Sequence, residues 1–377
     1  MKQKLTLLVF TIIFSLSITA CGNGISSKDG SPVSASGSST LTATPAPYSH
    51  KTSLSDFNIV TDASAKIILD CDMSYLNDDA FALFFLLQAD KLGYVDLLGI
   101  SASGGNKPGA VATNATLLQL EKVGRTDIPV YIGRDEPLCG FNPERASKLD
   151  YAGDVYTQFD KYVSPENYHN LGDLYHPMWG YSETEAESMS ASEFMTEQVK
   201  NHPGEITILC IGPATNVALA CQADTAFAEN TAGIIYMGGK LSDDSSFNWS
   251  YDADAVKVCL NSSFPKQTIC TGEIADSMQS PPAFWDELAS CESTPAAFLT
   301  DYKSMASSNR KLSDPVIPAI LLCPELIVTS AEETVSVSTS ESDYGRMLLT
   351  GDGTPATVIS QVNGGDIYAL MRLLLEK

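Results

Sequence analysis

Short apolar runs alternate with longer helical stretches along residues 65–237. Short runs bounded by turn residues predict buried strands, whereas longer stretches with a period of about 3.6 residues predict helices. The predicted strands are residues 65–69, 95–102, 128–132, 206–211 and 233–237. The predicted helices are residues 79–92, 110–123 and 190–202, and Ser190 with Glu193 forms a capping box at the start of the last one. This order predicts an α/β fold with an open, mostly parallel, Rossmann-like central sheet and helices on both faces.

The first 58 residues carry two further patterns. Lys2 and Lys4 precede an apolar run that ends at a small-residue stretch and Cys21, which is the layout of a secretory signal peptide with a bacterial lipobox. The run is shorter than the ~20 residues that a membrane-spanning helix needs. Residues 22–58 are rich in Ser, Thr, Gly, Pro and Ala, which predicts a flexible tether. We therefore expect a signal peptide over residues 1–21, a lipid on Cys21, and a domain held outside the cytoplasm on the bacterial cell membrane.

Residues 139–189 form a long polar stretch rich in Tyr, Gly and acidic residues. Such a stretch is typical of a loop or insertion over an active site. A peripheral subdomain without a catalytic role is the alternative, and the sequence leaves both open.

Composition narrows the range of partners. The chain has 46 acidic and 23 basic residues, for a net charge of −23, which would repel a nucleic-acid backbone. Nucleic acid is therefore not expected as a partner. The cysteines show no C-x-x-C pair or Cys/His cluster, so zinc and redox chemistry have little support.

Four aspartates follow the first predicted strand within ten residues: Asp70, Asp72, Asp78 and Asp79. Open α/β sheets bind ligands at the carboxyl ends of their strands, and clustered carboxylates repel one another unless a cation or hydrogen bonds offset the repulsion. A hard cation with oxygen ligands is the simplest explanation. A solvated helix N-terminus explains Asp78 and Asp79 but not the pair on the strand. An EF-hand loop is excluded, because Tyr75 occupies its required glycine position and Phe81 its required glutamate position.

The motifs of the chain resemble those of the inosine-uridine preferring nucleoside hydrolases over about residues 60–377. The opening motif of that family is similar to IILDCD at residues 67–72 followed by DDAFAL at residues 78–83. Further similar segments follow in the family's order: GGN at 104–106, DIPVYIG at 127–133, IGPATN at 211–216, MGG at 237–239, FN at 247–248, DADA at 252–255 and LSDP at 312–315. Each motif is weak alone, but their order and spacing are specific. The resemblance implies one nucleoside hydrolase-like catalytic domain over residues 59–377.

The resemblance also implies a calcium ion and a set of site residues. The implied calcium ligands are Asp72, Asp79, the main-chain carbonyl of Thr215, and Asp314. The implied ligands of the sugar hydroxyls are Asp78, Asn106 and Asn248, while Asp70 is expected to support the loop. Asp72 would act as general base on a calcium-bound water that cleaves the N-glycosidic bond of a nucleoside to free base and ribose. A homo-oligomer is also compatible with the resemblance.

Three positions depart from the family pattern. Ser74 replaces a glycine in the loop, Ser246 replaces a glutamate before Phe247-Asn248, and Ser313 replaces the histidine that protonates the leaving group in well-known members. His176 in the long polar stretch is one candidate for the missing acid. The departures leave a second function open: a nucleoside- or ribose-binding lipoprotein that keeps the calcium site with weak or no hydrolase activity.

The lipobox prediction is tested at Cys21. Because the lipid would be attached to its sulfur, Cys21→Ala should release the protein from the membrane fraction or stall its maturation. Fractionation and immunoblotting of the two forms give the answer, and unchanged membrane attachment would exclude the lipobox.

Overall fold

The computed structural model describes residues 48–49, 51–60, 65–74, 76–140, 142, 180–305 and 311–377, with only the backbone described for 301–305. The predicted signal peptide, Cys21, most of the predicted tether, Tyr75 and nearly all of the long polar stretch lie outside the described residues.

The described residues form one ten-stranded sheet in the order β4-β3-β2-β1-β5-β6-β7-β10-β8-β9. Its strands are β1 (Lys66–Cys71), β2 (Asp96–Ala102), β3 (Val130–Ile132), β4 (Glu187–Ser190), β5 (Ile206–Cys210), β6 (Gly233–Met237), β7 (Gln267–Cys270), β8 (Ile327–Val337), β9 (Met347–Leu349) and β10 (Thr354–Val362). Every neighbouring pair in the series β4-β3-β2-β1-β5-β6-β7-β10 is parallel. Strand β8 runs antiparallel to both of its neighbours, β10 and β9. The predicted open, mostly parallel sheet is confirmed.

Helices connect the strands and cover both faces. They are α1 (Asp78–Lys91), α2 (Gly109–Val123), α3 (Ala191–Asn201), α4 (Thr215–Ala223), α5 (Phe247–Tyr251), α6 (Ala253–Leu260), α7 (Gly272–Ser277), α8 (Pro282–Leu288), α9 (Thr294–Met305), α10 (Val316–Leu322) and α11 (Gly364–Leu375). All five predicted strands and all three predicted helices are present, with ends displaced by at most two residues. The predicted capping box of Ser190 and Glu193 is also present.

The apolar side chains divide between two cores, one on each face. Ile67 and Leu69 of β1 pack into the core that contains α1, α2, α10 and α11, whereas Ile68 between them packs into the core that contains α3, α4 and α6. This division follows from the alternation of side chains along a strand. Helix α1 is buried on every side from Asp79 to Ala89, because it lies between the sheet and helices α10 and α11.

Residues 51–60 pack against the domain. The Phe57 ring is 6% exposed, and the Lys51 ammonium lies 4.1 Å from the centre of that ring. The Asn58 N–H donates to Glu325 at 3.2 Å, and the Val60 N–H donates to the Leu322 carbonyl at 2.8 Å. The predicted boundary between the tether and the domain, at residues 58 and 59, therefore falls inside a packed segment. The sequence analysis placed it there because small polar residues dominate this stretch and obscured one buried aromatic side chain, that of Phe57.

In the described part of the chain, no helix combines the length and the apolar character needed to cross a membrane.

The packing of residues 51–60 leads to a stability prediction. Phe57→Ala should lower the free energy of unfolding by about 3 kcal/mol, since it removes a buried ring and leaves a cavity. Val60→Ala, at a side chain that is 53% exposed, should change it by less than ~0.5 kcal/mol. Urea unfolding of both variants tests this, and equal small effects would show that residues 51–60 do not contribute to the stability of the domain.

Candidate active site

The first two aspartates lie where β1 ends, at the point where the sheet changes its winding direction. Asp70 belongs to β1 and Asp72 follows it directly. From β1 the chain continues to β2, β3 and β4 on one side, whereas β5, β6 and β7 follow on the other. A crevice forms at the carboxyl ends of the strands at such a switch point. The candidate site therefore lies where an open α/β sheet most often binds its ligand.

Three carboxylates from distant parts of the sequence meet there. Asp78 and Asp79 begin α1, and Asp314 lies just before α10. One carboxylate oxygen from each of the three lies within 4.8 Å of the others, and this group could hold a metal ion. We call Asp78, Asp79 and Asp314 the carboxylate trio.

The predicted ligand Asp72 lies beside the trio rather than in it. Its main-chain N–H donates to Asp79 Oδ1 at 3.1 Å. Its carboxylate accepts a hydrogen bond from the Asn106 N–H at 2.8 Å, and the Asn106 amide also donates to the Asp72 carbonyl at 3.3 Å. Gly105 and Gly212 approach Asp72 so closely that a Cβ on either one would clash with it. Asp72 therefore occupies a tight, fixed position between the ends of β2 and β5.

Without a cation, the closely spaced carboxylates of the trio and Asp72 repel one another. Burial, and then the charges of Asp72 and Asp78, raise the pKa of Asp79 well above its usual range. Burial and the neighbouring aspartates do the same to the pKa of Asp314. Burial also raises the pKa of Asp72 to about 7. Among the described residues, no Lys or Arg forms an ion pair with these carboxylates. An all-oxygen cluster of this kind suits a hard divalent cation.

Asp70 has a different environment, in which neutral groups satisfy its carboxylate. Ser101 Oγ donates to Asp70 Oδ1 at 2.5 Å, and the Asn216 amide donates to the same oxygen at 3.0 Å. Asn216 also donates to Ser101 Oγ at 3.0 Å and accepts from the Arg134 N–H at 2.8 Å. Burial raises the pKa of Asp70 to about 6, and these donors lower it in part. Asp70 therefore ties together β1, β2, α4 and the turn after β3, as expected for a supporting residue.

Asn248 points its amide at the ends of two strands. Its Nδ2 donates to the Ile211 carbonyl at 2.7 Å and to the Met237 carbonyl at 3.0 Å. Because both amide protons are used in this way, its Oδ1 remains as the acceptor for a ligand. The next residue, Trp249, is buried against Gly238 and fixes the short helix α5 in place.

Thr215 is placed differently from the role that the resemblance implied. It begins α4, and its hydroxyl donates to Asp252 Oδ2 at 2.8 Å. A carbonyl in the first turn of a helix points along the helix axis towards its C-terminus, which here means away from the strand ends. Ile211 follows β5 directly, and its carbonyl lies at the strand end, where it accepts from Asn248. Ile211 is therefore the better candidate for a main-chain ligand.

Sequence reasoning missed the supporting roles of Ser101 and Asn216, and it did not single out the Ile211 carbonyl as a candidate ligand. Ser101 was detectable as a polar residue inside an apolar strand, because a buried hydroxyl requires a hydrogen-bonding partner. A main-chain carbonyl carries no sequence signature, so Ile211 was not detectable.

The fold and the site together define a class of protein. It is an open α/β protein with a cluster of carboxylates that could hold a metal ion at the switch point of its sheet. The family model of the inosine-uridine preferring nucleoside hydrolases matches residues 67–369, and the chain belongs to this family.

Individual relatives are similar over part or most of the chain. "Uridine nucleosidase 1" of Arabidopsis thaliana is 33% identical over 189 residues, which is 50% of this chain and 49% of that protein. The "Pyrimidine-specific ribonucleoside hydrolase RihB" of Escherichia coli is 27% identical over 231 residues, 57% of this chain and 64% of that protein. The chain thus spans about half the length of the first of these relatives. A solved plant nucleoside hydrolase shares the fold, with a TM-score of 0.67, 23% identity, and coverage of 83% of this chain and 99% of that chain.

The hydrogen bonds of Asn216 lead to a stability prediction. Asn216→Ala should lower the free energy of unfolding by about 2–3 kcal/mol. It removes a hydrogen-bond donor to the buried Asp70 carboxylate and leaves the Arg134 N–H without its acceptor. The exposed Asn261 is the matched control, and Asn261→Ala should have almost no effect. Urea unfolding compares the two variants, and the same midpoint for both would contradict the supporting role of Asp70 and Asn216.

Proposed function

We propose that this protein hydrolyses the N-glycosidic bond of ribonucleosides to free base and ribose, with a calcium ion held at the carboxylate trio. The observation that carries this proposal is the trio itself, which lies beside Asp72 at the switch point of a nucleoside hydrolase fold. Two of its carboxylates, Asp79 and Asp314, are buried and have raised pKa values.

The donor set fits calcium. Asp79 and Asp314 are the central candidate ligands, Asp78 and Asp72 lie beside them, and the Ile211 carbonyl supplies a neutral oxygen. Calcium prefers six to eight oxygen ligands, of which carboxylates and carbonyls are the commonest in proteins. When bound, the ion would neutralise the trio, anchor sugar hydroxyls and make a nearby water more acidic.

Asp72 is proposed as the general base. Its carboxylate is buried and is fixed by the Asn106 N–H beside the trio, so it could accept a proton from a water next to the ion. It would take a proton from the attacking water while the oxygen of that water bonds to the anomeric carbon and the bond to the base breaks. The neighbouring carboxylates would stabilise the positive charge that develops on the sugar.

The sugar hydroxyls are assigned to Asp78, Asn106 and Asn248. Asn106 donates one amide hydrogen bond within the protein and Asn248 donates two, so their side-chain oxygens remain to accept from hydroxyl groups. Asp78 belongs to the trio, so the sugar and the metal ion would share this carboxylate.

The leaving-group acid is not supplied by Ser313 or by His202. The Ser313 hydroxyl donates to Asp78, and a serine hydroxyl is too weakly acidic to protonate a base. His202 follows α3 beside Glu205, before β5 begins, and thus at the opposite end of that strand from the site. His50, His169 and His176 lie outside the described residues. Because the described residues offer no such acid in this assignment, ribosides whose base departs easily are the substrates that the described part of the site favours.

Two further points belong to the proposal. The names of the relatives from Arabidopsis thaliana and Escherichia coli make uridine the first nucleoside to test. The lipobox pattern at Cys21 supports attachment to the outer face of the bacterial membrane by a lipid.

The activity is tested with the domain spanning residues 48–377, uridine and inosine, and calcium. Released ribose should appear with calcium and disappear when the ion is chelated. Asp72→Asn should lower kcat by about 10²–10⁴-fold, the usual contribution of a general base.

Asp79→Asn should abolish calcium binding in calorimetry, whereas Asp352→Asn at an exposed turn should change neither calcium binding nor kcat. Calcium binding without cleavage of any riboside would favour the binding lipoprotein, and zinc in place of calcium in active protein would refute the proposed ion.

The lack of an assigned acid among the described residues leads to a prediction about leaving groups. Nitrophenyl riboside, whose leaving group departs without protonation, should be cleaved about 10²-fold faster or more than inosine, since a general acid typically contributes ~10²–10⁴-fold. Initial rates of both substrates on the wild-type protein measure this ratio. Equal rates would mean that the site does supply a proton, and His176→Ala would then show whether it comes from that histidine.

A further inference from the structure

Ser313 makes two hydrogen bonds to one oxygen of Asp78. Its main-chain N–H donates to Asp78 Oδ2 at 3.3 Å, and its hydroxyl donates to the same oxygen. We infer that Ser313 is a positioning residue: it holds Asp78 in the carboxylate trio so that the other oxygen of Asp78 faces the metal ion and the sugar. This inference rests on the proposed function and names a residue that its mechanism does not otherwise use.

Asp78 needs such a contact because its neighbours repel it. It is the first residue of α1, it is half-buried, and the carboxylates of Asp79 and Asp314 lie within 4.8 Å of it. Among the described residues no cationic side chain pairs with Asp78, so mutual repulsion would turn its carboxylate towards solvent. Two donors on one charged oxygen oppose that movement, and hydrogen bonds to an ionised acceptor are stronger than neutral ones.

The segment that carries Ser313 is itself fixed. Lys311 pairs with Gln279 in an antiparallel bridge, and the N–H of the buried Leu312 donates to the Met278 carbonyl at 3.0 Å. After Ser313, the chain turns into α10 through a hydrogen bond from the Val316 N–H to the Ser313 carbonyl at 3.1 Å. Ser313 therefore presents its hydroxyl from a rigid backbone.

This arrangement gives one segment two tasks. Asp314 contributes a carboxylate to the trio, and the residue before it sets the direction of a carboxylate that is 235 positions away in sequence. Loss of the hydroxyl should therefore change how well the site binds its ligands and leave proton abstraction by Asp72 intact. The expected signature is weaker calcium binding and a higher KM, with kcat at saturating calcium and substrate nearly unchanged.

The test compares side chains of the same shape with and without a hydroxyl. Threonine and valine are nearly isosteric, so Ser313→Thr should bind calcium within about threefold of the wild type in calorimetry, whereas Ser313→Val and Ser313→Ala should bind it at least about tenfold more weakly. Ser262→Ala is the control, because that hydroxyl donates to the Val258 carbonyl at the end of α6, where it touches none of the trio. Thermal melts of the metal-free proteins establish that each variant is folded.

A double-mutant cycle with Asp78→Asn makes the test specific. If Ser313 acts through Asp78, Ser313→Ala should have much less effect on calcium affinity in the Asp78→Asn background than in the wild type. The inference is overturned if the Ala and Val variants bind calcium like the wild type, or if the effect of Ser313→Ala persists undiminished without the Asp78 carboxylate. Failure of the proposed function looks different: the wild-type protein itself would neither bind calcium nor cleave a riboside.

Discussion

The burial of several carboxylates at one edge of the sheet is the constraint on which the rest of this structure depends. An ionised carboxylate that is removed from water costs several kcal/mol unless other groups compensate for the lost hydration. The protein meets this cost in two ways. Neutral donors surround Asp70, which sits inside the sheet and supports it. Asp79 accepts from the Asp72 N–H and from the Asn77 amide, yet burial and the neighbouring aspartates still raise its pKa. The pKa of Asp314 is raised for the same reasons, so these two carboxylates mark the place where a cation is needed.

The architecture of the sheet makes this concentration of charge feasible. At the switch point, the ends of β1, β2 and β5 lie side by side, and glycines at positions 105 and 212 let the backbones of the neighbouring segments approach Asp72 closely. Asn216 joins β1, β2 and the turn after β3 from the first turn of α4. The site is therefore built on strand ends and helix starts, whose positions the two cores hold fixed.

The residues of the site divide into those that would bind and those that would react. Asp78, Asn106 and Asn248 each use part of their hydrogen-bonding capacity within the protein and keep an oxygen for a ligand. Asp72 lies beside the trio, where its main-chain N–H donates to Asp79, and it is the carboxylate proposed to react. With Ser313 committed to Asp78, a proton for the departing base has to come from outside this group of residues. The proposed mechanism therefore assigns ligand binding and base-assisted attack to residues of the described site, and it assigns assistance to the leaving group to none of them.

Local sequence patterns were enough to predict the α/β class, the elements between residues 65 and 237 and the importance of the aspartates after β1. Alternating apolar runs and clustered charges are patterns of this kind. The order of strands, the antiparallel strand β8 and the packing of Phe57 depended on contacts between distant segments, which no local pattern encodes. The same reason explains the site. Asp72, Asp78 and Asp79 are close in sequence and were found together, and the family motif brought in Asp314. Which carboxylates form the trio, the choice of the Ile211 carbonyl over that of Thr215, and the pairing of Ser313 with Asp78 were decided by the directions of side chains and carbonyls in the folded chain, which only tertiary packing fixes.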